Sequence, residues 1–162
     1  MKTLVVYFSK TGNTKFVGEI IAETTGGEVE RIMEIKKRKD GFVAYMIAGF
    51  EGLFQKKSQI HKPRTDSADY EIIYIGSPVW GWNMVPAVRG YLVEYPLKGK
   101  KVALFCTMGG SGDRCLFNSI KEMTPECDFI GEFSIREVEL KDKAKAKTKI
   151  KDWVDKAQEK IT

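Results

Sequence analysis

The chain has 162 residues, 43% of them apolar and 30% charged, a size and mix that suit one globular domain spanning residues 1–162. The first apolar run, residues 4–8, is too short for a signal peptide and no run approaches a membrane span, so a cytoplasmic location and no membrane partner are expected. The net charge of +5 is concentrated: residues 36–64 carry eight Lys/Arg against two acids, and residues 141–162 carry eight Lys against four. Those segments read either as solvated faces or as a docking surface for an acidic partner protein. No aromatic or Arg-rich recognition pattern accompanies them, so nucleic acid is not expected.

The apolar period switches repeatedly along the chain. Residues 3–8 (TLVVYF) form a continuous β-branched and aromatic run, as in a strand buried on both faces. After the turn KTGN, Phe16, Val17, Ile20 and Ile21 recur at helical spacing, and Gly26-Gly27 ends that helix. Residues 28–35 alternate as a half-exposed strand, 36–40 are a charged connection, and 42–54 read as a second helix. In that helix Tyr45, Met46, Phe50 and Phe54 have the spacing of a core face. Residues 71–76 (EIIYIG) are a buried strand, and Pro86 starts a third helix carrying Val88, Tyr91, Leu92 and Tyr95. Residues 101–107 are a fourth strand, and Asp113 is the expected N-cap of a helix with Leu116, Phe117, Ile120 and Met123 inward. Residues 129–138 make a fifth strand. A last helix places Ala146, Ile150, Trp153, Val154, Ala157 and Ile161 on one face.

Alternation of this kind predicts an α/β fold, a parallel sheet covered by helices on both faces with right-handed crossovers. Ligands of such sheets bind beyond the carboxyl ends of the strands, which directs attention to three loops. Ser9, Lys10, Thr11, Gly12, Asn13 and Thr14 join a strand to a helix start, where hydroxyls, backbone N–H groups and the helix dipole favour a phosphate. The segment is neither a Walker A loop nor G-x-G-x-x-G, and a plain hydroxyl-capped turn is the other reading. Ser77, Pro78, Val79, Trp80, Gly81, Trp82 and Asn83 put two indoles around a glycine, suited to stacking on a flat ligand or to packing under the loop. Thr107, Met108, Gly109, Gly110, Ser111, Gly112 and Asp113 leave bare backbone that suits a polar ring edge; a flexible surface loop would look the same.

Phosphate cradle, stacking aromatic and bare backbone edge together match flavin mononucleotide (FMN). Through S-K-T-G-N-T, G-S-P-V-W-G-W and, more loosely, T-M-G-G-S-G-D, the chain resembles the flavodoxin family over essentially its whole length. The resemblance implies a flavodoxin-like three-layer α/β/α sandwich with a five-stranded parallel sheet in the order 2-1-3-4-5 and FMN at the switch point. It implies that Ser9, Lys10 (through its N–H), Thr11, Gly12, Asn13 and Thr14 hold the phosphate. Pro78, Val79, Trp80 and Gly81 would flank the isoalloxazine, with Ser77 beside them. Thr107, Met108, Gly109, Gly110 and Asp113 would line its pyrimidine edge. The function implied is low-potential electron transfer between redox proteins, with no catalytic residue and no metal.

Two features depart from the usual pattern. The chain is basic where carrier flavodoxins are acidic, and residues 107–113 lack the aromatic that commonly covers one flavin face. An open face would suit an FMN-dependent NAD(P)H or quinone oxidoreductase, the alternative function. A phosphoacceptor signalling domain of this fold needs an acidic cluster after the first strand, where this chain has Tyr7-Phe8-Ser9. Cys106, Cys115 and Cys127 lie in or near apolar runs and read as buried free thiols; with His61 the single histidine, a Cys/His zinc site is not expected.

Overall fold

A computed structural model describes residues 1–36 and 41–161, with backbone alone at residues 42, 45 and 52. Most of the charged connection expected at 36–40 therefore lies outside the described residues. Five parallel strands form the sheet: β1 (Thr3–Tyr7), β2 (Glu28–Arg31), β3 (Ile72–Trp80), β5 (Lys101–Met108) and β6 (Asp128–Arg136), in the order β2-β1-β3-β5-β6. The sixth strand, β4 (Asn83–Met84), pairs antiparallel with the end of β3, outside that order. With β4 set aside, the order is the expected 2-1-3-4-5. β1 lies between β2 and β3 and is buried at every position, which is why its run is continuously apolar rather than alternating.

Alternation along the central strands divides the core in two. Leu4, Val6, Ile73, Ile75, Val102 and Leu104 face one side. There they meet Val88, Tyr91 and Leu92 of α3 (Pro86–Glu94) and Leu116, Phe117 and Ile120 of α4 (Asp113–Met123). Val5, Tyr7, Tyr74, Ala103 and Phe105 face the other side. They meet Val17 and Ile21 of α1 (Asn13–Thr25) and Ile150, Val154 and Ala157 of α5 (Lys143–Glu159). Period 2 in the strands against period 3.6 in the helices thus yields three layers. Gly26 ends α1 at φ 67, its N–H donating to the Ala22 carbonyl, as the Gly-Gly pair predicts.

Four expectations are corrected. The second helix, α2 (Phe42–Leu53), does not turn its large apolar residues inward: Met46 and Phe50, with Phe54 just beyond its end, are all exposed, whereas the small Ala48 is buried. The side chain of Tyr45 is not among those described. The N-cap of α4 is Gly112 at φ 113, not Asp113, which is the first helical residue. Of the three thiols Cys106 is buried, Cys127 is half-buried and Cys115 is exposed. β2 ends at Arg31, short of the expected 28–35, although Glu34 still forms an isolated bridge to Ile60. Among the described residues no helix is long and apolar enough to cross a membrane.

Candidate functional site

The loop after β1 is built as an anion cradle. Gly12 takes φ 97, a left-handed conformation open to glycine, and directs the chain into α1 at Asn13. No side chain caps this helix, so its first-turn N–H groups have no intrahelical acceptor. The Gly12 N–H donates to Ser9 Oγ at 3.1 Å, closing the loop on itself. Ser9 and Thr14 are buried and Lys10 and Thr11 exposed, so the segment has an inner and an outer edge. From the neighbouring strand Arg31 Nη2 donates to the Ser9 carbonyl at 2.8 Å, placing a guanidinium against the loop. The same side chain keeps a buried Nε without a hydrogen-bond partner. In sequence Arg31 belongs to no motif. Its signal was its place, the last residue of the strand beside β1, in register with Tyr7.

The loop after β3 is a hairpin. Val79 pairs with Met84 and Trp80 with Asn83, so Gly81 and Trp82 form a two-residue turn. Both have positive φ, 54 and 56, as the primed turns that match strand twist require. Glycine accepts this freely; Trp82 does so at a steric cost and stands 59% exposed. A Cβ on Gly81 would lie 2.1 Å from the Gly49 carbonyl oxygen and 2.7 Å from the Leu53 nitrogen, so the hairpin sits directly on the backbone of α2. Trp80 is half-buried and meets Phe8 edge-on at 5.8 Å and 84°.

Two polar latches hold this hairpin from below. Ser77 Oγ accepts from the Val85 N–H at 3.1 Å and donates to the Pro78 carbonyl at 2.8 Å. Asn83 Oδ1 accepts from the Met84 N–H at 2.8 Å and from Arg89 Nη2 at 3.1 Å. Arg89, buried in α3, also donates to Ser119 Oγ at 3.0 Å. Burial lowers its pKa from the ordinary value. The sequence gives little warning of Arg89, because a lone Arg on an apolar helix looks like an exposed position.

The loop after β5 completes the arrangement. Thr107 Oγ1 and Thr14 Oγ1 are 2.8 Å apart and buried, a hydrogen bond that ties this loop to the phosphate-type loop. A Cβ on Gly112 would meet Val79 Cγ1 at 2.7 Å, so the loop also abuts the hairpin. At Gly109 and Gly110 a Cβ would meet nothing within 4 Å: their backbone borders open space. Asp113 accepts from Ser134 Oγ at 2.8 Å, which commits one of its oxygens to β6.

Between the hairpin and the loop after β5 lies a cleft of ≈ 320 Å³ whose walls include Val79, Trp80, Gly81, Trp82, Gly109 and Gly110. Ala48, Gly49 and Ser111 complete it. Of the expected site residues, Val79, Trp80, Gly81, Gly109 and Gly110 therefore converge. Ser9, Lys10, Thr11, Gly12, Asn13 and Thr14 do not line the cleft; their loop is tied to the loop after β5 through Thr14. Ser77, Pro78, Thr107, Met108 and Asp113 do not line the cleft; Ser77 and Thr107 are buried supports. Trp82 and Ser111, from the same two loops, line it as well, and the additions are Ala48 and Gly49. For the last two the available signal was a pair of small residues inside an otherwise bulky helix.

Residues 52–157 match the family model described as Flavodoxin. The chain belongs to the flavodoxin family. Solved structures agree on the fold of this flavodoxin-family chain. A Bacteroides uniformis protein superposes with a TM-score of 0.78 at 22% identity, over 95% of this chain and 97% of that one. A flavoprotein of Lactobacillus acidophilus, solved in complex with FMN, gives 0.69 at 25% identity, over 82% and 92%. The two-electron reduced flavodoxin of Megasphaera elsdenii gives 0.58 at 24% identity, over 96% and 97%. No curated protein matches the chain.

Proposed function

We propose that this chain binds FMN and carries electrons singly between redox proteins. The observation that supports the reading is that three loops meet at one end of the sheet: an uncapped helix start is tied by the Thr14–Thr107 hydrogen bond to the loop whose bare glycine backbone borders the indole-flanked cleft. The residues fit the group. The N–H groups at the start of α1, with the Thr11 hydroxyl, would hold the phosphate, and Arg31 adds positive charge while fixing the Ser9 carbonyl. Trp80 and Trp82 would pack on the ring system, and Gly109 and Gly110 let backbone reach its polar edge. When bound, FMN supplies one- and two-electron redox chemistry. The protein's part is to bind, orient and shield it; the reading needs no catalytic acid or base. Its basic segments suit an acidic redox partner.

A second reading is favoured by one observation. Residues 109–111 offer the cleft no aromatic wall, which leaves room for a small molecule above the ring, as an NAD(P)H or quinone oxidoreductase requires. Anaerobic reductive titration of the FMN-loaded protein separates the two. A carrier takes up its electrons in two resolved one-electron steps and does not turn over NAD(P)H. Uptake in a single two-electron step, with NAD(P)H-driven quinone reduction, establishes the enzyme. Failure to retain FMN removes both.

A further inference from the structure

The feature that neither reading uses is the outer face of α2. Val43, Met46, Ile47, Phe50 and Leu53 follow one another at helical spacing, and Phe54 continues the stripe beyond the helix end. Such a stripe ordinarily faces a core, yet each of these residues is between 51% and 68% exposed. Phe50 and Phe54 stack on one another at 5.4 Å and 23° instead of on the domain. The stripe borders a shallow groove of ≈ 330 Å³. Trp82, the exposed indole of the hairpin on which α2 rests, adds an aromatic group of the kind that partitions into interfaces.

Charge decides the occupant. In sequence, basic residues flank the helix on both sides: 36–39 before it, and Lys56, Lys57, Lys62 and Arg64 after it. Lys36, Lys56, Lys57, Lys62 and Arg64 are exposed. Glu51 is the lone acid of the helix. A second copy of the chain would bring like charges together around the stripe, which opposes pairing. A transient redox partner needs only a small contact, and six large apolar side chains exceed that need. An anionic bilayer satisfies both parts at once. Apolar and aromatic side chains enter the headgroup–acyl boundary, and the flanking ammonium groups lie against lipid phosphates.

We propose that α2 and the hairpin tip form a peripheral docking surface for anionic membranes. The helix would lie on the surface without spanning it, and the cleft walled by Ala48 and Gly49 would lie close to the lipid. The lack of a membrane span, on which the expectation of no membrane partner rests, does not bear on a helix that lies along the surface. The surface belongs to the polypeptide alone and stands whether or not FMN is the cofactor.

Co-flotation with vesicles tests it, using the whole chain with and without added FMN. Vesicles of phosphatidylcholine alone are compared with vesicles containing ~30% phosphatidylglycerol. The expected result is at least roughly tenfold more binding to the anionic vesicles, falling severalfold as salt is raised to about 0.5 M, in both FMN states. Phe50→Ser combined with Phe54→Ser should reduce binding about tenfold or more. Lys56→Glu with Lys57→Glu, changes at exposed sites that leave the fold intact, should weaken only the binding to anionic vesicles. Several results would overturn the proposal. One is no binding to either vesicle, which leaves the face to a protein partner. Another is binding indifferent to both variant pairs. A third is a concentration-dependent dimer dispersed by the Phe variants, and a fourth is loss of vesicle binding when FMN is added.

Discussion

Gly81→Ala puts a methyl group where the hairpin and α2 touch, and the structure sets the size of the effect. The added Cβ would lie 2.1 Å from the Gly49 carbonyl oxygen and 2.7 Å from the Leu53 nitrogen. Both are backbone atoms, so no rotamer change relieves the overlap. The residue must also hold φ 54, which costs an L-residue about 1–2 kcal/mol. Forcing the methyl group into a filled space adds about 1–3 kcal/mol, released chiefly by displacing α2 from the hairpin. Displacement removes the Ala48–Gly49 wall of the cleft. Urea unfolding of the apoprotein should therefore show a loss of about 2–5 kcal/mol. FMN titration, followed by quenching of flavin fluorescence, should show affinity weakened at least about tenfold, equivalent to roughly 1.4 kcal/mol. Gly110→Ala is the control: its Cβ meets nothing within 4 Å, so apoprotein stability should stay within about 0.5 kcal/mol while FMN affinity falls. A Gly81→Ala protein as stable as the parent, with unchanged FMN affinity, would refute both the close approach and the placement of the site.

Thr14 and Thr11, which the sequence places together as phosphate ligands, should separate. Thr14→Val breaks the buried bond to Thr107 and strands its hydroxyl, so unfolding measurements should show a loss of about 1–3 kcal/mol and weaker binding of FMN and riboflavin alike. Thr11 is exposed, so Thr11→Val should leave stability unchanged and weaken FMN only, as parallel titrations with the two flavins would show. Trp80→Ala should raise the fluorescence of bound flavin more than Trp82→Ala does, because Trp80 is held against Phe8 while Trp82 is largely in solvent; the reverse ranking would exchange their roles. Lys149 Nζ, at 2.7 Å, and then the Arg136 N–H hold the Glu139 carboxyl down to about 2. Because the folded pKa is depressed, the contribution is complete above the unfolded value of roughly 4.3 and disappears as pH falls through the folded one. The stability difference between the parent and Glu139→Gln should therefore shrink from about pH 6 to about pH 3 in chemical denaturation, and a difference constant with pH would disprove the pairing.

The layered fold was legible in the sequence because its determinants are short-range. β1 is buried on both faces and shows it as an unbroken apolar run, while Gly12, Gly26, Gly81 and Pro86 mark turns and helix ends by backbone chemistry that needs no distant partner. The three loops were legible for the same reason. What the tertiary structure alone decided are relations between segments far apart in the chain. The stripe of α2 has the period of a core face, and period states which residues share a side, not what lies opposite. Its Ala48 lies against the domain, while Phe50 and, just past the helix end, Phe54 face outward. Thr14 is one more hydroxyl of a loop in sequence, and only folding sets it 2.8 Å from Thr107, 93 residues away. Arg31 and Arg89 are ordinary charges in sequence. They become a clamp on the Ser9 carbonyl and a latch on Asn83 only when β2 lies beside β1 and α3 packs beneath the hairpin, since a hydrogen bond has meaning only between groups that folding has already brought together.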